Sequence, residues 1–371
     1  MRLTTRFSRV AVAATCLLLV AASCSNPEAD DTSYANVGAV TSKGTAPGPD
    51  VNGDGKVVIG VLSPGNLNDH GYYESFVAKA EAFTQRKGWT LKRVGLVDVK
   101  KPGEALRQAR LLCQQKVDLV ALGAAELKDA IPAASEPVCA KTSWYVPSNQ
   151  DIKINSRITI SADFIDETLL AAGYATGLLM QSRNYTKVGY ITGPKLDFST
   201  RAAQGYIAGI RRLVPDAKLY TSYTGSFDDG KLAKAAAQKQ INEGVQAMYP
   251  YLGGATDDAA RLGNSKDLIL STPGTNRCDS TNPRFAISVI FDPGEYFAAA
   301  LEDFSNGKLA MGVTRNWHLG QDTVPTVRLC NGTDAQNAQM AQFIADVGSG
   351  KIAATPYVNQ HGQLDEDLDL S

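Results

Sequence analysis

The side chains best equipped to hold another molecule fall in two stretches. Ser63-Pro64-Gly65-Asn66-Leu67-Asn68-Asp69-His70-Gly71-Tyr72-Tyr73 follows an apolar run and combines turn residues, amide and carboxylate acceptors and two adjacent aromatics. Gly225-Ser226-Phe227-Asp228-Asp229 sets one aromatic ring among turn formers. Flat rings beside polar acceptors can grip a small planar molecule, the rings covering its faces and the acceptors bonding its edge. On this reading Tyr72, Phe76 and Phe227 sandwich a ring, and Asn68 and Asp69 bond its edge. Each residue also has a plainer role open to it. Phe227 can plug a core, and Asx side chains readily bond their own backbone. Asp228 and Asp229 read better as the cap and first turn of a following helix. Asp163 reads equally as a helix cap and as a ligand contact.

Patterns for bond-breaking chemistry are missing. His70, His318 and His361 lack metal-ligand spacing, and Cys113 and Cys139 lie too far apart for a local zinc clasp. There is no Gly-x-Ser-x-Gly elbow, phosphate loop or spaced acid/base pair. His70 beside Asp69 is the lone candidate proton shuttle. Asp50-Val51-Asn52-Gly53-Asp54-Gly55 imitates the start of a calcium loop, but the twelfth position is Val61 and lies in a strand. No metal, cofactor or enzymatic activity is expected. With 37 Lys+Arg against 38 Asp+Glu the formal net charge is −1, so no basic stripe points to nucleic acid.

The flanks place the protein. Arg2, Arg6 and Arg9 precede an apolar run at 10–22, closed by Ala21-Ala22-Ser23-Cys24. A basic start, a short apolar stretch and small residues form a secretory signal, and the run falls short of the roughly 20 residues a membrane span needs. Its ending resembles the bacterial lipobox, in which the cysteine, here Cys24, becomes the lipidated N-terminus; Ala21 stands where Leu is usual. Residues 24–56 are polar, Gly/Pro/Asp-rich and aperiodic, which reads as a flexible tether. Four cysteines remain in the exported part. They point to two disulfides out of three possible pairings, with Cys113–Cys139 and Cys278–Cys330 expected.

Between the flanks, strands and helices alternate. Apolar runs at 57–62, 91–97, 117–123, 143–146 and 157–160 read as strands, separated by helical patterns at 73–87, 102–115 and 126–134. A long helix at 163–181 opens a second set, with strands at 188–193, 218–224, 245–251 and 268–272 and helices between them. Further helices cover 295–306 and 335–347. The expected fold is α/β: two doubly wound parallel-sheet lobes around a ligand cleft. The division is signal 1–23, tether 24–56, lobe 1 at 57–162 with part of 275–334, lobe 2 at 163–274, and a C-terminal helix and acidic tail at 335–371.

The loop after the first strand resembles the opening motif of the basic membrane protein family of substrate-binding lipoproteins, which includes purine nucleoside receptors. That motif runs approximately Asp-x-Gly-x-x-Asp-(Asp/Asn)-x-x-Phe-Asn. Gly65 matches its Gly, Asn68 and Asp69 its acidic/amide pair and Tyr72 its Phe, while Ser63 replaces the first Asp and Tyr73 the Asn. Lys187-Val188-Gly189-Tyr190-Ile191-Thr192-Gly193, Gly205-Tyr206-Ile207-Ala208-Gly209, Gly225-Ser226-Phe227-Asp228-Asp229 and Tyr249-Pro250-Tyr251-Leu252-Gly253-Gly254 are similar to further family segments in the same order. The likeness covers roughly residues 57–310. It implies a type I periplasmic-binding-protein fold and a lipid-anchored receptor on the extracytoplasmic face of the cell membrane. Such a receptor is a monomer that captures a small polar ligand and delivers it to an ABC permease. Asn68, Asp69, Tyr72, Phe76, Asp163, Phe227, Tyr251, Gly253 and Gly254 become the ligand-site set.

Two departures bear on the ligand. Ser271-Thr272-Pro273-Gly274 stands where the family has Gly-Val-Asp, and Phe291 stands where it has a Lys. In nucleoside receptors that Asp and Lys hold the ribose, each such charge-assisted contact being typically worth about 1.5–3 kcal/mol. The resemblance therefore implies a purine nucleoside or base first, with a modified nucleoside or other metabolite next. An exported nucleoside hydrolase using Asp69 or Asp163, and a ligand sensor for a membrane signalling protein, are the competing classes.

Overall fold

Apolar strands flanked by helices need cover on both faces, and both halves of the chain meet that need with a parallel-dominated sheet. The computed structural model describes residues 48–147 and 152–354. Its first half runs β1 (Val58–Leu62), α1 (Tyr72–Lys87), β2 (Thr90–Val94), α2 (Glu104–Gln114), β3 (Leu119–Leu122), β4 (Ser143–Pro147) and β5 (Ile158–Asp163). Then come α3 (Ile165–Gln181), β6 (Lys187–Thr192), α4 (Asp197–Arg211), β7 (Lys218–Tyr223), α5 (Gly230–Asn242), β8 (Ala247–Tyr251), α6 (Thr256–Asn264) and β9 (Ile269–Gly274). The chain finishes with β10 (Ile287–Ile290), α7 (Pro293–Ser305), β11 (Val313–Trp317), β12 (Thr326–Leu329) and α8 (Asp334–Gly348).

Among the described residues these strands form two six-stranded sheets, ordered β11-β5-β4-β3-β1-β2 and β12-β10-β9-β8-β6-β7. Every pairing is parallel except β10 with β12. The expected α/β architecture with two parallel sheets is therefore what the chain adopts. In both sheets the strand order reverses beside the first strand, at β1/β3 and at β6/β8. Such a reversal opens a crevice at the carboxyl ends of the strands.

The sheets share the chain more finely than the sequence divides it. β11 joins the first sheet, whereas β10 and β12 join the second. α7 returns to pack on α1, with Ser75 Oγ donating to Asp292 Oδ1 at 2.5 Å and Lys79 pairing with Glu295 at 2.5 Å. The backbone thus crosses between sheets three times: from β5 to α3, from β10 to α7 and from β11 to β12.

Local departures have local causes. The helix expected at 126–134 is a 3₁₀ run, Ala125–Ser135, because Pro132 lies inside it and removes a donor. β2 stops at Val94 because Leu96 adopts φ 54°, outside any strand. Residues expected to belong to the tether are already held: the Asp50 carboxylate accepts from the Gly53, Asp54 and Gly55 N–H groups at 2.8, 3.1 and 2.8 Å. Asn52 donates to Asp118 Oδ1 at 2.9 Å, which ties this calcium-like run to the first sheet. The signal with Cys24, tether residues 24–47 and the tail at 355–371 lie outside the described residues. Among the described residues no helix is long and apolar enough to cross a membrane.

Both expected disulfides are present. Cys113–Cys139 ties α2 to the turn after the 3₁₀ run, and Cys278–Cys330 links the segment before β10 to the end of β12, closing separations of 26 and 52 residues. Constraint of the unfolded chain makes each worth about 2–4 kcal/mol. In the second half, α3 and α4 touch backbone to backbone. A Cβ on Gly173 would lie 1.9 Å from the Tyr206 carbonyl oxygen, and one on Gly209 would lie 2.0 Å from that of Leu170.

Candidate functional site

The loop after β1 is organised by Asp69. Its carboxylate accepts from the Gly71, Tyr73 and Glu74 N–H groups at 3.0, 3.1 and 2.9 Å, capping α1. That cap places Tyr72 and Tyr73 on the first turn of α1, their rings 5.6 Å apart and edge to face. Asn68 is exposed and does not line the cavity below it. His70 turns outward to Glu74, Nδ1 to Oε2 3.3 Å, rather than toward Asp69.

Across the crevice, the turn after β7 is fixed from two sides. The Phe227 carbonyl accepts from Gly253 N and Ala255 N at 3.0 and 3.2 Å, and Asp228 Oδ1 accepts from Gly254 N at 2.8 Å. Asp229 caps α5 through Lys231 N and Leu232 N, as its position in the sequence implied. A Cβ on Gly253 would lie 2.9 Å from Asp228 Oδ1, so a larger residue there would need that carboxylate to shift. Gly254 acts through its N–H and is not part of the lining.

Between these loops lies a cavity of about 200 Å³. Of the expected residues, Asp69, Tyr72, Phe76, Asp163, Phe227, Tyr251 and Gly253 line it. A relay of rings crosses from one sheet to the other: Phe227 on Phe198 (6.2 Å), Phe198 on Tyr251 (6.4 Å), Tyr251 on Phe291 (5.8 Å) and Phe291 on Tyr72 (6.3 Å). Phe76 stacks on Phe297 at 4.7 Å and is 1% exposed, so it is mainly first-sheet core with one edge at the cavity. Thr272, Pro273 and Phe291, which replace the family's Asp and Lys segments, all line it.

Asp163 corrects the expectation of a helix start. It is the last residue of β5, in register with Trp317 of β11, and α3 begins only at Ile165. Burial pushes its carboxyl up to about 6. Burial also raises Glu126, and it raises Asp69 despite that residue's three backbone donors. Tyr72 and Tyr251 are pushed up by burial first and then by the charges of Asp163 and Glu126. Both carboxylates therefore sit among these rings.

Sequence reasoning passed over Glu126, Tyr145, Ser161, Phe198, Arg277 and Tyr296, all of which line the cavity. Tyr145 and Ser161 lie within β4 and β5, each two residues short of the strand's carboxyl end, close enough for the strand-end rule to have pointed to them. Arg277 is held by Asp257 in a two-point pair at 2.5 and 3.2 Å, and its guanidinium lies 4.8 Å from the Phe285 ring centre. Among the described residues no group of His, Cys, Asp and Glu could hold a metal ion.

The three crossings meet at one edge of the cavity. Phe164 stacks on His318 at 4.1 Å, while Glu167 accepts from Leu319 N at 3.0 Å and lies 3.0 Å from His318 Nδ1. Tyr296 stacks on Trp317 at 4.8 Å, and the Trp317 indole donates to Ser161 Oγ at 2.9 Å. An aromatic cavity roofed by loops of two sheets, with its joints gathered at one side, can enclose a small flat molecule.

Comparison with known proteins agrees with this geometry. Residues 56–352 match the family described as Bmp, ABC transporter substrate-binding protein PnrA-like. The ABC transporter nucleoside-binding protein BmpA of Lactococcus lactis subsp. cremoris (strain MG1363) is 32% identical over 146 residues, 38% of this chain and 40% of that one. Basic membrane protein A of Borreliella afzelii is 27% identical over 31% of this chain and 38% of its own. The chain thus spans about two fifths of the length of these curated relatives. Among solved structures, a solute-binding protein of an ABC transporter system from Aeropyrum pernix K1 superposes with a TM-score of 0.68 at 14% identity, covering 80% of this chain and 92% of that one. One from Conexibacter woesei DSM 14684 gives 0.62 at 18% identity over 80% and 98%. Fold, cavity and matched length converge: this chain belongs to the Bmp family of PnrA-like ABC transporter substrate-binding proteins.

Proposed function

We propose that the protein is the ligand-capturing component of an ABC importer, anchored outside the cell membrane by a lipid on Cys24. Lobe 1 is built on the first sheet and lobe 2 on the second, and the two close on a ligand about the three crossings before docking as a monomer on a permease. The ligand is a purine nucleoside, a base or a related metabolite. The observation that carries this reading is the relay of rings from Phe227 to Tyr72, which offers aromatic faces from both sheets to one flat molecule. The nucleoside-binding relative from Lactococcus lactis supports the ligand class.

A thermal-shift screen of nucleosides, bases, sugars and peptides tests it. A ligand present at 100 times its dissociation constant adds about 2.7 kcal/mol of stability. Stabilisation by a purine compound without turnover is the expected outcome. Product formation, or stabilisation by sugars or peptides alone, would remove the assignment. For the purine that binds, Phe227→Ala is expected to weaken affinity by about 10-fold or more, since tenfold is 1.4 kcal/mol and a buried stacking ring exceeds that. Calorimetric titration that finds the affinity unchanged rejects Phe227 as a contact.

A further inference from the structure

An arginine on the cavity wall narrows the ligand class further, given that the cavity is the purine site proposed above. Arg277 lines the cavity with its side chain 14% exposed. It belongs to the loop between β9 and β10, and that loop is braced from several directions. The Arg277 N–H donates to Ser288 Oγ of β10 at 2.9 Å, and the next residue, Cys278, is bonded to Cys330 just after β12. Asp257, in the first turn of α6, accepts from Arg277 Nη1 at 2.5 Å and Nη2 at 3.2 Å, and also from Arg261 at 3.4 Å. The Phe285 ring centre lies 4.8 Å from the guanidinium carbon. A guanidinium carries five N–H donors in a planar fork. The pair with Asp257 is end-on and occupies one donor on each terminal nitrogen. The side of the fork, Nε–H with the outer Nη2 N–H, meets no acceptor among the described residues. Two parallel donors fit two acceptors set side by side on the edge of a flat ring. A 6-oxopurine has that pair in its carbonyl oxygen and N7, whereas a 6-aminopurine sets an amino donor against the fork. The carboxylates of Asp69, Glu126 and Asp163 on the same wall disfavour a full negative charge relative to such polar acceptors.

We infer that Arg277 reads the carbonyl and N7 edge of a 6-oxopurine, whose faces the ring relay covers. Matched pairs test it by calorimetric titration into the full mature protein: inosine against adenosine, and hypoxanthine against adenine. The 6-oxo member is expected to bind at least about 10-fold tighter, the lower part of what one two-point contact to a base edge discriminates. Arg277→Lys keeps the charge without the fork, and Arg277→Met keeps only the stem. Both are expected to cut the preference at least about fivefold. An arginine that merely braces its loop would, when replaced, weaken both members of a pair alike and leave their ratio unchanged, and that result overturns the inference. Should neither variant fold, 7-deazaguanosine, which lacks the N7 acceptor, decides on the unaltered chain. It is expected to bind at least about fivefold more weakly than guanosine, and equal binding rejects the contact. If adenosine and adenine bind as tightly as their 6-oxo partners, the inference falls while purine capture stands. If no purine binds, both fall. Tighter binding of guanosine 5′-monophosphate than of guanosine would give the arginine to a phosphate and overturn the edge reading.

Discussion

Gly209→Ala lowers the stability of the protein by about 3 kcal/mol or more, or prevents folding outright. Its Cβ would sit 2.0 Å from the Leu170 carbonyl oxygen, 2.7 Å from Tyr174 N and 2.9 Å from the Gly173 Cα. All three are helix backbone of α3, which cannot swing aside as a side chain can. On helix propensity alone alanine would gain about 1 kcal/mol over glycine, so a loss is diagnostic of the crossing. Gly177→Ala, whose Cβ would lie 3.1 Å from the Ile210 carbonyl oxygen, is expected to cost less. Urea denaturation of the three proteins measures the series. A Gly209→Ala protein as stable as its parent would mean that α3 and α4 stand farther apart than described.

Asp163→Asn should stabilise the ligand-free protein at pH 8 by on the order of 3 kcal/mol. Burial raises this carboxyl from 3.8 to about 6, so between those values the folded chain binds more proton than the unfolded chain. Stability then falls as pH rises through this window, at about 1.36 kcal/mol per pH unit. The contribution is fully present below about pH 4, near the unfolded value, and lost above the folded value of about 6. The asparagine variant does not titrate, so its advantage is expected at pH 8 and absent at pH 4. Melting curves of both proteins at the two pH values decide the matter. An equal difference at both, or a loss at pH 8, removes the argument. A carboxylate that costs stability while lining the cavity fits a residue kept for ligand binding.

How much was legible follows from how far away the deciding partners lie. Tyr251 could be placed at the cavity because it closes β8, a strand that its own apolar run defines, and Tyr72 and Phe227 because each lies beyond a turn-rich loop that follows a strand. Asp163 could not. An Asp before an apolar helical run reads as a cap, but Trp317 extends the strand through Asp163, and the Phe164 N–H reaches the Trp317 carbonyl at 3.4 Å. No local pattern announces a partner more than 150 residues away. The same holds for Tyr296, which reaches the cavity because α7 returns to the first sheet. Asn52 is another instance, fixed by Asp118 rather than by its neighbours. Glu126 was hidden differently, since Pro132 turns an expected helix into a 3₁₀ run that presents it inward.

The sheet order also sets when each half can be finished during synthesis. β5 obtains its outer neighbour only from Val313–Trp317, and β9 obtains its own from Ile287–Ile290, itself covered by Thr326–Leu329. A chain shortened to about residue 310 would carry two raw sheet margins, one along Ile158–Asp163 and one along Ile287–Ile290. Unpaired margins of that kind recruit other strands and promote aggregation. Neither sheet closes until almost the whole polypeptide has emerged, so the two halves mature together and late, as one product rather than as successive modules.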